Sequence, residues 1–166
     1  MVDCGYGALG RLGEAGLNYR EVGHIFLTHL HDDHTSDVVT LLSHQWTGGK
    51  VDDTLVIGPY GTEHLVDAAI EYFRANTEIR LVDEDRSVLP TEIFSGRDID
   101  ATRAPTEIFA DDRVTVSSVE NTHFPDSARE QVPYRAVSYR FDSRDRSITV
   151  SGETNYSENL IRLAES

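Results

Sequence analysis

Apolar positions along this chain follow two rhythms, one of period two and one near 3.6, and the switches between them mark its elements. Val2-Asp3-Cys4-Gly5 predicts the end of a buried strand turning at glycine, followed by a short helix over residues 8–15 closed by Gly16. Residues 21–28 contain the apolar run Ile25-Phe26-Leu27 and predict a buried strand. Ser36 is the expected cap of a helix with Val38, Val39, Leu41 and Leu42 on one face. A short strand over 54–57 ends at Gly58-Pro59, and Thr62 is the expected cap of a helix carrying Leu65, Ala68, Ala69, Tyr72 and Phe73.

Residues 80–112 are polar and lack a clear period, although Pro-Thr-Glu-Ile-Phe occurs twice, at 90–94 and 105–109. A single five-residue echo does not make a repeat architecture. From Arg113 onward the pattern predicts strands over 114–119, 135–141 and 147–150, the last two joined as a hairpin through Asp142-Ser143-Arg144-Asp145. A final helix, capped by Ser157, carries Leu160, Ile161, Leu163 and Ala164. Interleaved strands and helices with no linker between them predict one layered α/β domain over residues 1–166.

Composition narrows the function classes. The net charge is −14, Lys50 is the only lysine, and every other basic residue is arginine. Such a surface repels phosphate backbones at long range and counts against a large nucleic-acid footprint, while leaving room for a local basic patch. The apolar stretches are far shorter than the ~20 residues that span a bilayer, so no membrane role is expected. Cys4 is the lone cysteine and forms no internal disulfide, which fits a reducing compartment such as the cytoplasm.

The chemistry is concentrated in Thr28-His29-Leu30-His31-Asp32-Asp33-His34, directly after a buried strand and before a helix. In an extended segment, side chains two apart point the same way, so His29 and His31 can hold one cation. Where the chain then bends, Asp33 and His34 can face a second. Imidazole and carboxylate donors suit zinc, manganese or iron. By average residue usage an H-x-H-x-D-H pattern arises by accident in on the order of one in ten thousand chains of this size. His24, His44 and His64 lie outside the pattern and read as core or surface histidines. Trp46, Tyr60 and Phe124 fit either a substrate cleft or ordinary packing.

The heptad resembles the signature of the metallo-β-lactamase superfamily, and further segments agree with it in order and spacing. Val119-Glu120-Asn121-Thr122-His123 resembles the strand end that supplies a third histidine to the first metal. Val150-Ser151-Gly152-Glu153-Thr154 resembles the Ser-Gly-Asp-Thr motif whose acid bridges both metals, and Val2-Asp3-Cys4-Gly5 the glycine-ended strand before the signature. The texture is closest to the ribonuclease Z-like and arylsulfatase-like hydrolases. The resemblance implies an αββα sandwich and two Zn2+ ions, with Mn2+ or Fe2+ as alternatives. His29, His31 and His123 would hold the first ion, Asp33 and His34 the second, and Glu153 would lie between them. Asp33 is also the expected catalytic residue, managing the proton of a metal-bound water.

The resemblance further implies a hydrolase acting on a phosphodiester, with a transfer-RNA 3′ end as one candidate, or on a small sulfate, lactone or phosphate ester. A non-catalytic metal-binding fragment is the third reading. Glu153 is one methylene longer than the aspartate of the motif. The family pattern also has a strand pair before residues 2–5 and a final histidine ligand after the last helix, neither of which this chain carries. A fragment is therefore expected, the alternative being a short form that completes its sheet as a homodimer.

Overall fold

Two sheets organise the protein. The computed structural model describes residues Met1–Ser166, which divide into a first unit of Met1–Leu27, His31–Ile57 and Gly61–Asp98 and a second of Thr28–Leu30, Gly58–Tyr60 and Ile99–Ser166.

In the first unit, β1 (His24–Phe26) pairs in parallel with β2 (Thr54–Pro59), Ile25 opposite Val56 and Phe26 opposite Ile57. β3 (Phe94–Ile99) follows β2 in the sheet order, and Val2 forms a parallel bridge to Phe26. Parallel pairing requires a crossover between neighbouring strands. Here α2 (Asp32–Thr35) and α3 (Val38–Thr47) make it, and α3 buries Val38, Leu41, Leu42 and Trp46. A one-turn 3-10 helix, Tyr19–Glu21, separates α1 (Ala8–Glu14) from β1. Its first two carbonyls, with that of Val22, are tied to buried side chains. The Gln45 amide donates to Tyr19 O and Val22 O at 2.8 Å each, and the single lysine, Lys50, donates to Arg20 O at 2.7 Å.

α4 (Thr62–Tyr72) and α5 (Arg74–Asp83) follow, then α6 (Pro90–Ile93). The buried stripe of α4 runs through Val66 and Ala69 to Phe73, at i, i+3 and i+7, whereas Tyr72, expected on that face, is 81% exposed. Neither expected side-chain cap forms. α3 starts at Val38 behind Asp37, and α4 starts behind Gly61, both without a cap from their own N-terminal residues. Instead Asp98 reaches across from β3 and accepts hydrogen bonds from the backbone N–H groups of Gly61 at 3.0 Å and Glu63 at 2.9 Å. A carboxylate at a helix N-terminus satisfies orphan donors and complements the dipole, whichever segment supplies it. At the other end of α3, Arg86 donates to the carbonyls of Trp46 (2.5 Å) and Thr47 (2.6 Å) while its guanidinium lies 4.7 Å over the Trp46 ring. The Trp46 indole N–H donates to Val88 O at 2.9 Å, which makes it a core residue rather than a cleft residue.

The second unit is an antiparallel meander of β4 (Thr106–Ala110), β5 (Val114–Glu120), β6 (Val137–Ser143) and β7 (Ser147–Val150). The expected hairpin joins β6 to β7, closed by Ser143 N–H donating to Arg146 O at 2.9 Å. α8 (Glu158–Glu165) lies against β5 and β6, burying Leu163. Its cap is the expected one, since Ser157 Oγ accepts from Leu160 N–H at 3.3 Å. No helix is long and apolar enough to cross a membrane.

The duplicated pentapeptide adopts two conformations. Its first copy forms α6 and the start of β3, with Pro90 at the first helical position, while its second lies mostly within β4. Local sequence is identical, so tertiary surroundings decide.

Two outcomes follow. Asp98→Ala removes the remote cap of α4 and is expected to cost about 1 kcal/mol, read as a lower midpoint in urea; an unchanged midpoint would show the cap idle. Burial pushes the Cys4 thiol up from 9.0 to about 12, with Asp37 adding to the shift. The folded state therefore favours the protonated thiol, and its contribution is complete below about pH 9 and is lost as pH rises towards 12. A thiol reagent at pH 8 is expected to label Cys4 only on unfolding, and rapid labelling of folded protein would contradict this.

Candidate metal centre

Within the second unit, three of the expected ligands converge from three strand ends. The chain leaving β1 stays extended, and Thr28 O accepts from Val137 N–H at 2.8 Å. His29 is fully buried, and its Nδ1 lies 3.1 Å from the Thr28 hydroxyl, a contact that sets the roll of the imidazole. At the end of β5 the chain delivers His123, whose ring centroid is 4.5 Å from that of His29 with the rings inclined at 64°. Phe124 packs on both, at 5.9 and 4.8 Å between centroids. From the loop after β7, Glu153 Oε2 comes within 3.5 Å of His123 Nε2. Donor atoms of His29, His123 and Glu153 all lie within 4.8 Å of one another. Donors sharing one tetrahedral zinc sit about 3.3 Å apart, given bonds of about 2.0 Å, so slight closure around an ion suits this trio. Two imidazoles and a carboxylate without a thiol form a donor set fitted to zinc, manganese or iron.

The loops bearing His123 and Glu153 are laced together. Asn121 Oδ1 accepts from the His123 backbone N–H at 3.1 Å, while the Asn121 amide donates to Ser138 Oγ and to Ser151 O, each at 3.1 Å. Ser138 Oγ also donates to Ser151 O at 2.6 Å. Asn155 donates to Thr122 O at 3.1 Å, and the Thr122 hydroxyl donates to Tyr156 O at 2.9 Å. Hydrogen bonds of this kind hold candidate ligands in register before any ion arrives. Gly152 is the tightest point. Its φ is 61°, and a Cβ there would stand 2.9 Å from Thr28 Cβ and 3.0 Å from Thr28 Cγ2, against the residue that orients His29. Only glycine fits.

In the first unit, the remaining expected ligands sit where the extended run gives way to α2. His31 keeps extended backbone, φ −66° and ψ 152°, and is exposed. Asp33 and His34 lie in α2, with Asp33 Oδ2 3.8 Å from His34 Nε2. The other nitrogen of His34, Nδ1, is 2.8 Å from Asp3 Oδ2. Asp3 holds a positive φ of 53°. The N-terminal segment clamps this turn, since Cys4 N–H donates to His34 O and Asp37 N–H donates to Cys4 O, both at 2.8 Å. A Cβ on Gly5 would fall 1.7 Å from Asp33 O. The packing thus requires the glycine noted in the sequence.

Asp3, which sequence reasoning missed, is a candidate supporting residue through its contact with His34. A carboxylate on the distal nitrogen of a ligating histidine fixes tautomer and ring orientation. The only signal was its place in the segment Val2–Gly5, singled out for its glycine, because pairing over a 31-residue separation leaves no local trace. Asn121 and Thr28 were likewise invisible as supports. The histidines set aside do not join the ligands. His44 Nδ1 donates to Thr40 O at 2.8 Å within its own helix, and His64 is exposed on α4. Tyr60 is exposed and pairs with Tyr134 at 6.0 Å between centroids.

The geometry generates one prediction in two parts. Gly152→Ala is expected to displace Thr28 and His29 and to lower zinc affinity about 10–100-fold, as is Asp3→Ala through His34. Competition with a chromophoric chelator measures both, and wild-type affinity in both variants would remove these residues from the centre.

A family profile described as the beta-lactamase superfamily domain matches residues 1–165. A protein named Ribonuclease Z from Mycolicibacterium gilvum is 25% identical over 167 aligned residues, covering 99% of this chain and 54% of that protein. Another so named, from Bacteroides thetaiotaomicron, is 30% identical over 106 residues, covering 63% of this chain and 34% of its own length. Among solved structures, human tRNase Z, short form, superposes with a TM-score of 0.66 at 17% identity, covering 98% of this chain and 62% of that one. The metallo-beta-lactamase fold protein YhfI from Bacillus subtilis gives 0.59 at 17% identity, over 95% and 51%. The chain spans about half the length of the curated relatives it matches, and its α/β fold is that of these structures. With the profile matched along nearly its whole length, the chain belongs to the metallo-β-lactamase superfamily.

Proposed function

We propose that this chain is a metal-dependent hydrolase core of the ribonuclease Z type, acting on a phosphodiester such as the 3′ end of a precursor transfer RNA. In this reading His29, His31 and His123 would hold one zinc ion and Asp33 and His34 a second, with Glu153 as a ligand available to both. The observation that carries the reading is the convergence of buried His29, half-buried His123 and exposed Glu153 from three strand ends, with donor atoms within 4.8 Å. The name Ribonuclease Z on the matched relatives supports the substrate class.

When bound, the two cations supply a water acidified towards neutrality and neutralise the anionic transition state. The chain's own residues do the rest. The Asp33 carboxylate, about two-thirds exposed beside His34, would hold the proton given up by the attacking water and pass it to the leaving oxygen. Asp3 holds Nδ1 of His34, which would leave Nε2 for an ion. Phe124, against both histidine rings, keeps bulk water off one side of the site. Glu153 reaches its place with the longer arm of glutamate, its side chain half exposed.

A second reading, hydrolysis of a small sulfate, lactone or phosphate ester, is favoured by one observation. A net charge of −14 with a single lysine opposes long-range capture of a polynucleotide.

Protein purified without chelator is expected to carry about two metal ions and to hydrolyse bis-p-nitrophenyl phosphate. The activity is lost to EDTA and restored by zinc or manganese. His31→Ala or His123→Ala is expected to lower the rate on the order of a thousandfold. Trimming of a precursor transfer RNA supports the ribonuclease reading, whereas turnover of p-nitrophenyl sulfate alone moves it to the small-ester class. One ion or none, without turnover of any substrate, would leave a metal-binding fragment.

A further inference from the structure

Four of the chain's fifteen basic side chains gather at one end of the second unit, where Arg103, Arg129 and Arg162 line a cavity of about 410 Å3 and Arg135 stands behind it. Thr122, Ser157 and Asn159 complete its polar wall. The volume lies within the range of about 300–1,000 Å3 found for small-ligand sites.

The charges inside do not cancel. Glu120, 6% exposed, faces two guanidiniums, Arg129 Nη2 at 2.8 Å and Arg135 Nε at 3.4 Å. The two partly buried guanidiniums therefore outnumber this one buried carboxylate. Asp126, the other acid on Arg129 at 3.0 Å, has an 89% exposed side chain and is screened by water. The second acid of the lining, Glu158, is exposed on the first turn of α8 and is free to turn outward. Arg129 Nε is buried with no hydrogen-bond partner. An unmet buried guanidinium donor is costly, and a tetrahedral oxyanion is the partner that matches its fork. Arg162 is already held by Asn159 Oδ1 at 2.5 Å, while Arg103 is exposed at the rim.

We infer that this cavity is a phosphate subsite, with Arg103, Arg129 and Arg162 as the recognising groups. Thr122 lies in its wall and His123 follows it in the chain, so the subsite adjoins the loop that delivers a ligand of the metal centre. A phosphate held here belongs either to a free phosphate compound or to the backbone of a polynucleotide whose neighbouring linkage is cleaved. The second case rests on the hydrolase reading above.

The test uses the full chain, labelled with 15N and stripped of metal so that no ion competes for phosphate. Sodium phosphate is expected to shift the backbone amides of Thr122, Ser157, Asn159 and Arg162 saturably, and sodium chloride at equal ionic strength to leave them in place. The double variant Arg103→Gln/Arg162→Gln is expected to weaken the effect at least tenfold, and Arg162→Lys to retain part of it. Should the double variant not fold, Arg103→Gln alone, altering an exposed residue, is expected to weaken it several-fold. An RNA pentamer that shifts the same amides and is displaced by phosphate assigns the site to a backbone; phosphate binding without pentamer binding assigns it to free phosphate. Equal shifts in the double variant, equal shifts with chloride, or none with phosphate would overturn the subsite. His31→Ala is expected to abolish hydrolysis and leave these shifts unchanged, which separates the fate of this site from that of the hydrolase reading.

Discussion

The contact between Gly152 and Thr28 is the constraint on which the second unit's chemistry depends. The backbone at Gly152 presses against the Thr28 side chain with no room for a Cβ, and the Thr28 hydroxyl in turn engages His29 Nδ1. The loop after β7 thus carries Glu153 to the centre and steadies the residue that aims His29. Asn121 adds the third side by joining the end of β5 to β6 and to Ser151. Each candidate ligand is therefore supported by the segment that bears another, so that loosening one element is expected to loosen all three. Strand ends suit this task. Their inner residues are locked in the ladder, whereas the first residue beyond has its backbone released and its position already set.

The same logic operates in the first unit by different means. There the ligands lie on a turn rather than on a strand end, and a one-turn helix is too short to hold them by its own hydrogen bonds. The N-terminal segment supplies what is lacking. Gly5 lets it approach the Asp33 carbonyl, Cys4 exchanges backbone hydrogen bonds with His34 and Asp37, and Asp3 engages the imidazole. The positive φ of Asp3 fits this role, since a strained backbone persists where surrounding contacts over-determine it.

The legible parts of the sequence were those whose cause is local. The spacing of His29 and His31, the apolar run before them, the β6–β7 hairpin and the Ser157 cap follow from periods and turn chemistry within a dozen residues. What escaped was supplied from a distance. Asp98 caps α4 from another strand, Arg86 closes α3 across about forty residues, and Asp3 meets His34 across thirty-one. The Ser36 and Thr62 caps were inferred because each is a good capping residue near a helix start, but a better-placed acceptor satisfied α4 and left Thr62 inside it. Residues 80–112 were unreadable for a related reason. The two copies of Pro-Thr-Glu-Ile-Phe have the same local preferences, yet one packs as a helical turn and the other as a strand, so no local rule can assign both.

Charge links the centre to the rest of the chain. An excess of acid raises the local concentration of cations, which favours filling a site of imidazoles and carboxylates, and the same field repels an anionic substrate. In the proposed phosphodiesterase reading, a chain with a net charge of −14 must resolve that opposition over short distances. Cations held by the candidate ligands would do so at the reacting phosphate, where they would be the largest charges present. Away from it, only arginine is available, because the single lysine is committed to the Arg20 carbonyl. Guanidinium suits the purpose better, as it stays charged when partly buried and presents paired donors to phosphate oxygens. Placing those arginines around one buried carboxylate, Glu120, keeps them positioned without cancelling them, since one acid cannot neutralise both Arg129 and Arg135. An acidic surface and a phosphate substrate are therefore compatible when the positive charge is gathered beside the centre instead of spread over the protein.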